Sequence, residues 1–344
     1  MTYKISVMVL IFKVILITTK SLSFSFTNQA LVEPNYLFTY FGNPPSPIRF
    51  KINTLLPFTH IGPMLYDSEH STSGQFISHD PVSIEDQIYI PELYKDYVII
   101  GEESKANITN YMFYVFSPNT HDWNNGFAFA YKVNDSFSMI HQLYNSNQIN
   151  KRSFAFLPYE SEENNKKGTL YFGDVPKDKL NQYKKRGYCK VNENNVPWGC
   201  QLNSITLKGV EFNLNQYTIF STCQFNTILS YTFFELLYEN VFNKWIDKKT
   251  CYRIDGKTRS SMKCLEEIIS KIGNITFTFE SGLSISLDLA SLFVCDEFIC
   301  ESLYLSDNTN KENFEFGGAF IKMFNVSVFN YEDKTISYKQ YDSY

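Results

Sequence analysis

Five histidines, seven cysteines and adjacent carboxylate pairs such as Glu102-Glu103 and Glu162-Glu163 are the side chains that could build an active site directly. The histidines, His60, His70, His79, His121 and His141, show no His-Glu-x-x-His pattern and no other close ligand spacing. No Cys-x-x-Cys pair occurs, so the tetrahedral thiolate and imidazole set of a structural zinc is not expected. Cys223 carries a nucleophile's sulfur, but a thiol attacks only as thiolate, and the sequence places no base beside it. It reads instead as an inert thiol that packs as a small hydrophobe. Glu102-Glu103 and Glu162-Glu163 fall in polar loops and read as solvated surface. No metal and no cofactor are expected.

Other side chains acquire chemistry only through the elements that position them. Aromatic residues make up 17% of the 344 residues, with 24 Tyr and 31 Phe, which suits strands better than helices. From about 32 to 130 short strands succeed one another, among them "YLFTYFG", "IRFKIN", "DYVII" and "YMFYVF", separated by turn residues such as Pro44, Pro45, Asn119 and Gly126. The spacing of Phe137, Ile140, Leu143 and Ile149 predicts a helix over 135–150 capped by Asp135. A second helix is predicted over 231–247, "YTFFELLYENVFNKWID". One helix in each half among many strands points to a mainly-β, two-lobed protein.

The net charge of −5 gives no basic footprint for nucleic acid. The segment 1–25 has a lysine, an apolar run from Ile5 to Thr19 broken by Lys13, and then small residues, which is the layout of a secretory signal. A membrane role arises only if that segment is retained as an anchor. A secreted or lumenal route agrees with seven cysteines, one of them left over after pairing, and with sequons at Asn107, Asn134, Asn274 and Asn325.

Five segments in order resemble the pepsin-like aspartic peptidases, family A1. "YFGNPPSPIRFKINT" matches the family's strand, Gly-Thr-Pro turn, strand and Asp-Thr-Gly loop, with Gly42, Pro44 and Pro45 in step and Asn53-Thr54 at Asp-Thr. "SFAFLPYESEENNKKGTLYFGDVPKDKL" resembles the hairpin between the lobes, and "YCKVNENNVPWGCQLNSITLKG", with Trp198, resembles the segment after it. "YTIFSTCQF" falls at the second Asp-Thr-Gly, and "FEFGGAFIKMFNVSVFNYEDKTISY" resembles the terminal element through Gly317, Phe320, Ile321, Phe324, Val328 and Phe329. "GQFISHDPVSI" resembles the strand after the flap, with Tyr66 at the flap itself. The resemblance implies a bilobal acid-protease fold, with an N-terminal lobe over 26–176, contracted between Asn53 and the flap, and a C-terminal lobe over 177–344.

The family's chemistry needs two carboxylates that share one proton and hold a water between them. Here Asn53 stands at the first position and Ser221 at the second. An amide cannot accept the proton, and a hydroxyl does not ionise near neutral pH. Thr54 and Thr222 remain, but Leu55 and Cys223 replace the following glycines, Leu56 and Phe225 replace small hydroxyl residues, and Phe129 stands at the N-lobe's apolar-apolar-Gly glycine. These bulky groups are expected to fill the space for water and substrate. Asp67 and Asp80 do not substitute, because neither precedes Thr-Gly.

The expectation is a secreted pepsin-like homologue without catalytic activity that binds a peptide or protein in its inter-lobe groove. The alternatives are an active aspartic endopeptidase with other catalytic residues, and a structural extracellular paralogue. By the family's C-lobe disulfide, Cys264 is expected to pair with Cys295. Cys189 is expected to pair with Cys200 across adjoining strands, and Cys251 with Cys300, leaving Cys223 free.

Overall fold

The computed structural model describes residues 21–27, 36–62, 65–84, 87–101, 106–116, 126–131, 136–157, 167–181, 185–192, 197–222, 226–246, 248–307, 314–321, 324 and 326–340. Three large sheets carry the architecture. A seven-stranded sheet is built within residues 36–128, and a larger sheet of eleven strands within residues 199–316. Between them in composition stands a six-stranded sheet in the order Leu22–Thr27, Lys167–Phe172, Ser153–Leu157, Val326–Asn330, Thr335–Gln340 and Lys185–Lys190. The expected division at residue 176 falls between two strands of this third sheet, so both halves of the chain contribute to it.

Alternation of apolar residues directs each strand. In Ser46–Asn53, Ile48, Phe50 and Ile52 are buried while Ser46, Pro47 and Arg49 are exposed. Asn274–Phe279 repeats the pattern with Ile275, Phe277 and Phe279 inward. The Gly42–Pro45 turn folds Tyr36–Phe41 back on Ser46–Asn53 in register from Tyr36 opposite Lys51 to Phe41 opposite Ser46. Gly42 has φ +84°, and a Cβ there would stand 2.9 Å from Ser71 Oγ, so both conformation and space require glycine.

The core is largely aromatic. Phe50 stacks on Phe127 at 4.1 Å, Phe316 on Phe320 at 3.8 Å and Phe154 on Phe329 at 4.7 Å. Each buried Phe contributes about 1.5–3 kcal/mol through removal from water. Trp198 is fully buried where the halves meet. Its indole N–H donates to the Phe129 carbonyl at 2.5 Å, and its ring contacts Phe154, Phe329 and Tyr331.

Several expectations change. The first helix is Met139–Asn145, capped by Ser138; Asp135 lies outside the described residues. The second helix forms where expected, as one continuous run of Tyr231–Leu237, a π-turn Tyr238–Phe242 and Asn243–Ile246, capped by Ser230. Leu22–Thr27 is a strand with Phe24 in the core, so the leader expected over 1–25 overlaps it from Leu22 onward; residues 1–20 lie outside the described residues. Among the described residues no helix is long and apolar enough to cross a membrane.

The disulfides are Cys189–Cys200, Cys251–Cys264 and Cys295–Cys300. The expected Cys264–Cys295 and Cys251–Cys300 pairs are therefore replaced. The reason is register: Cys251 lies directly opposite Cys264 in one hairpin, and Cys295 directly opposite Cys300 in another. Each thiol is captured by its nearest cross-strand neighbour.

Candidate functional site

Two strand ends that are 168 residues apart in sequence meet through a reciprocal set of hydrogen bonds. The Thr54 N–H donates to Thr222 Oγ1 at 3.2 Å, and the Thr222 N–H donates to Thr54 Oγ1 at 3.0 Å. Each hydroxyl then donates across to the opposite strand, Thr54 to the Phe220 carbonyl at 2.9 Å and Thr222 to the Ile52 carbonyl at 2.7 Å. Both threonines are buried, and each N–H is satisfied by the opposite hydroxyl while each hydroxyl is satisfied by a carbonyl of the opposite strand. The arrangement has approximate two-fold symmetry and joins the two halves of the chain.

The surrounding backbone repeats that symmetry. Ser46–Asn53 has Gly126–Ala128 as a parallel neighbour, with Asn53 opposite Ala128, and the Phe129 N–H donates to the Asn53 carbonyl at 3.1 Å. Val210–Phe220 has Glu315–Phe316 as a parallel neighbour, and the Ser221 N–H donates to the Phe316 carbonyl at 2.8 Å. Asn53 and Ser221 thus immediately precede the paired threonines at equivalent places. Asn53 is half-buried, and its Oδ1 accepts from the Leu55 N–H at 2.9 Å, a local Asx-type contact that holds the loop. Ser221 is fully buried.

The bulky replacements lie differently from expectation. The Phe129 ring packs on Phe154 and Phe172 of the six-stranded sheet, at 5.0 and 5.7 Å. Leu56 is buried against Gly126, where an added Cβ would meet its Cδ1 at 2.8 Å. Both are absorbed into the core, and Leu55 is the half-buried one of the three. Cys223 and Phe225 lie outside the described residues. Phe129 does not stand at the glycine position expected: Ala128 lies opposite Asn53, so it is Ala128 that answers Gly317, one residue past Phe316, on the C-terminal side. The Gly317 N–H donates to Thr227 Oγ1 at 3.3 Å.

Tyr66 is not joined to this pair. Its hydroxyl donates to Asp96 Oδ2 at 2.6 Å and its ring packs against Tyr94 and Phe113. Burial, and then the neighbouring Asp96, push its phenol far above the ordinary range. Asp96 is fully buried and also accepts from Ser71 Oγ at 2.8 Å, Ser73 Oγ at 2.5 Å and the Tyr97 N–H at 2.6 Å. Tyr66 therefore ties the 66–74 segment to the N-terminal sheet. Asp96 was missed in the sequence. Its signal is an acidic residue at an inward position between Tyr94 and Val98.

The remaining candidates stay apart. Asp67 is exposed and bonded to His70 Nδ1 at 2.6 Å, and hydrogen bonds led by the His70 backbone hold its carboxyl below the usual range. Asp80 accepts from Ser78 Oγ at 2.8 Å. Among the described residues no group of His, Cys, Asp and Glu side chains is arranged to hold a metal. Two cavities, of about 640 and 620 Å³, are lined by neither the 53–56 nor the 221–222 segment.

No protein-family model and no curated protein matches this sequence. Solved structures do match over nearly the whole chain. An aspartic proteinase from Irpex lacteus superposes with a TM-score of 0.73 at 14% identity, covering 94% of this chain and 98% of that one. Basic 7S globulin from soybean gives 0.74 at 12% identity, and conglutin gamma, a basic 7S globulin from lupine seeds, gives 0.72 at 13%; each covers 94% of this chain and 95% of its own. Identities this low establish the fold alone: the chain has the bilobal, mainly-β pepsin-like fold, and the paired threonines join its two halves.

Proposed function

We propose that this chain is a pepsin-like protein without peptidase activity that binds a peptide or protein segment in the groove between its lobes. The observation that carries the reading is the Thr54–Thr222 pair, an intact frame whose preceding residues are Asn53 and Ser221. The water-activating step needs a carboxylate base and a protonated carboxylic partner. An amide and a hydroxyl supply hydrogen bonds but no such acid–base pair. What the frame retains is rigid positioning of two lobes, and a groove between β-rich lobes suits an extended chain that adds its backbone hydrogen bonds to exposed edges. The fold itself is compatible with either outcome, since it is shared by a protein named as a proteinase and by two named as globulins.

The three disulfides fit an oxidising compartment, and we place the protein in the secretory route or outside the cell. The test is incubation of purified protein with a denatured protein substrate at acid pH, beside binding to an immobilised panel of extended peptides. Intact substrate with saturable peptide binding that Leu55→Arg weakens is the expected result. Cleavage at discrete sites, or no binding to any peptide in the panel, overturns the corresponding half of the proposal.

A further inference from the structure

Four cysteines of the C-terminal half stand in one line across four neighbouring strands. Cys251 of Cys251–Asp255 lies opposite Cys264 of Arg259–Leu265, Cys264 lies opposite Cys300 of Ile299–Ser302, and Cys300 lies opposite Cys295 of Phe293–Asp296. Residues directly opposite in a sheet share a face, so the four sulfurs lie on one side. The two outer neighbour pairs are the disulfides.

Strand geometry sets the spacing along this line. An antiparallel residue sends both its N–H and its C=O to one neighbour, so it forms a wide, hydrogen-bonded pair on that side and a narrow pair on the other. The Cα separations of 4.0 Å for Cys251–Cys264 and 3.9 Å for Cys295–Cys300 mark both outer pairs as narrow. The central Cys264–Cys300 pair is then the wide one, at about 5.5 Å. That separation is near the one disulfides adopt most often. The register therefore offers three neighbouring bonds to four sulfurs, and the unformed central one has favourable backbone geometry.

We propose that this row is a thiol–disulfide exchange site that accepts two electrons from a dithiol and rearranges to a Cys264–Cys300 bond. Cys295 is its exposed member, while Cys251, Cys264 and Cys300 are buried. A thiolate of the dithiol attacks Cys295 Sγ, forming a mixed disulfide and expelling the Cys300 thiolate. Cys300 attacks Cys264 Sγ, the Cys264–Cys300 bond forms, and Cys251 leaves as thiolate and takes up a proton. The second thiol of the reductant resolves the mixed disulfide, releasing Cys295 as a thiol and the reductant as its own disulfide. One dithiol is oxidised, and two protein thiols appear.

The exchange has a structural readout on the other face of the same strands. Tyr252, Lys263, Val294, Asp296, Ile299 and Glu301, each next to one of the four cysteines, line the cavity of about 620 Å³. Adjacent residues in a strand point to opposite faces, so the sulfurs and the cavity lie back to back. Rearrangement unties the two outer strands from their partners and ties the two inner ones, which alters the frame of that cavity.

The test is limited reduction of the full protein with substoichiometric dithiothreitol at mildly alkaline pH, followed by alkylation and peptide mass mapping. Alkylation of Cys251 and Cys295 with a linked Cys264–Cys300 peptide, and Cys189–Cys200 left intact, is the expected result. Alkylation of Cys295 and Cys300 with Cys251–Cys264 retained, or loss of all three disulfides without an intermediate, overturns the proposal. A second arm uses the double variant Cys251→Ser with Cys295→Ser, refolded under oxidising conditions. A Cys264–Cys300 bond beside Cys189–Cys200 supports the exchange; Cys189–Cys200 formed with Cys264 and Cys300 both free contradicts it. If that variant does not fold, the wild-type arm decides.

Discussion

The two sides of the threonine pair are equivalent in backbone and unequal in what surrounds them. On the N-terminal side Asn53 is half-buried, holds its own loop through the Leu55 N–H, and is followed across the parallel strand by the large buried ring of Phe129. On the C-terminal side Ser221 is fully buried, and Gly317, one residue past Phe316, stands at the place Ala128 takes on the N-terminal side. The contrast separates two requirements that share one site. Holding the halves together needs only two hydroxyls and four backbone groups, and that set is complete. Catalysis would need carboxylates and close backbone approach, and there the two sides differ from each other. The N-terminal side is packed as core through Phe129 and Leu56, and it has Ala128 where the C-terminal side has Gly317.

Four predictions sharpen this contrast, from the largest expected effect downward. Phe129→Ala should cost about 3–5 kcal/mol in denaturant unfolding, the range for deleting a fully buried aromatic ring. A cost below 1 kcal/mol would mean the ring is not part of the core, and the asymmetry would collapse. Thr54→Val and Thr222→Val should each cost about 1–3 kcal/mol, because each leaves a buried N–H without its acceptor. The double variant should cost less than the sum, since one reciprocal set is lost either way. Additive costs would contradict the reciprocal arrangement.

Ser221→Asp should destabilise more than Asn53→Asp at neutral pH, because the buried side must desolvate the new carboxylate while the half-buried side remains partly hydrated. Burial raises the folded-state pKa of the carboxyl introduced at 221 above its unfolded value. The penalty is therefore absent below the unfolded carboxylate pKa of about 4 and grows as pH rises through the folded value. Urea midpoints across pH check both the order and the slope; an equal cost on the two sides would argue against the burial difference. The smallest effect concerns Tyr66. Its raised pKa contributes stability that is complete below the ordinary tyrosine value of 10.0 and is lost as pH rises above it. Tyr66→Phe should weaken the alkaline loss of stability, and an unchanged alkaline profile would remove the Asp96 anchor from the account.

How much was legible in the sequence depended on whether the information was local. Strand alternation and turn residues made a mainly-β, two-lobed protein readable; the pepsin-like fold and the strand ends at Asn53-Thr54 and Ser221-Thr222 were readable only through the resemblance of five ordered segments to that family. Their meeting in space is then set by two strands that each gain a parallel neighbour. The direction of Phe129 was not readable, because a residue at a strand end can turn its ring toward either layer. Cys189–Cys200 formed as expected, while the other two cysteine pairs failed for a related reason: register across hairpins decides which sulfurs meet, and spacing along the chain does not give register. Asp96, the buried partner of Tyr66, was not singled out because it is thirty residues away and marked only by its inward position.

The central claim is that an intact threonine frame here carries no acid–base pair. Pepstatin, a transition-state mimic for that pair, tests it most directly through the melting temperature of the wild-type protein at acid pH. The account predicts no shift at saturating inhibitor and no cleavage of a denatured substrate in the same buffer. A pepstatin-dependent rise in melting temperature accompanied by pepstatin-sensitive cleavage would contradict it.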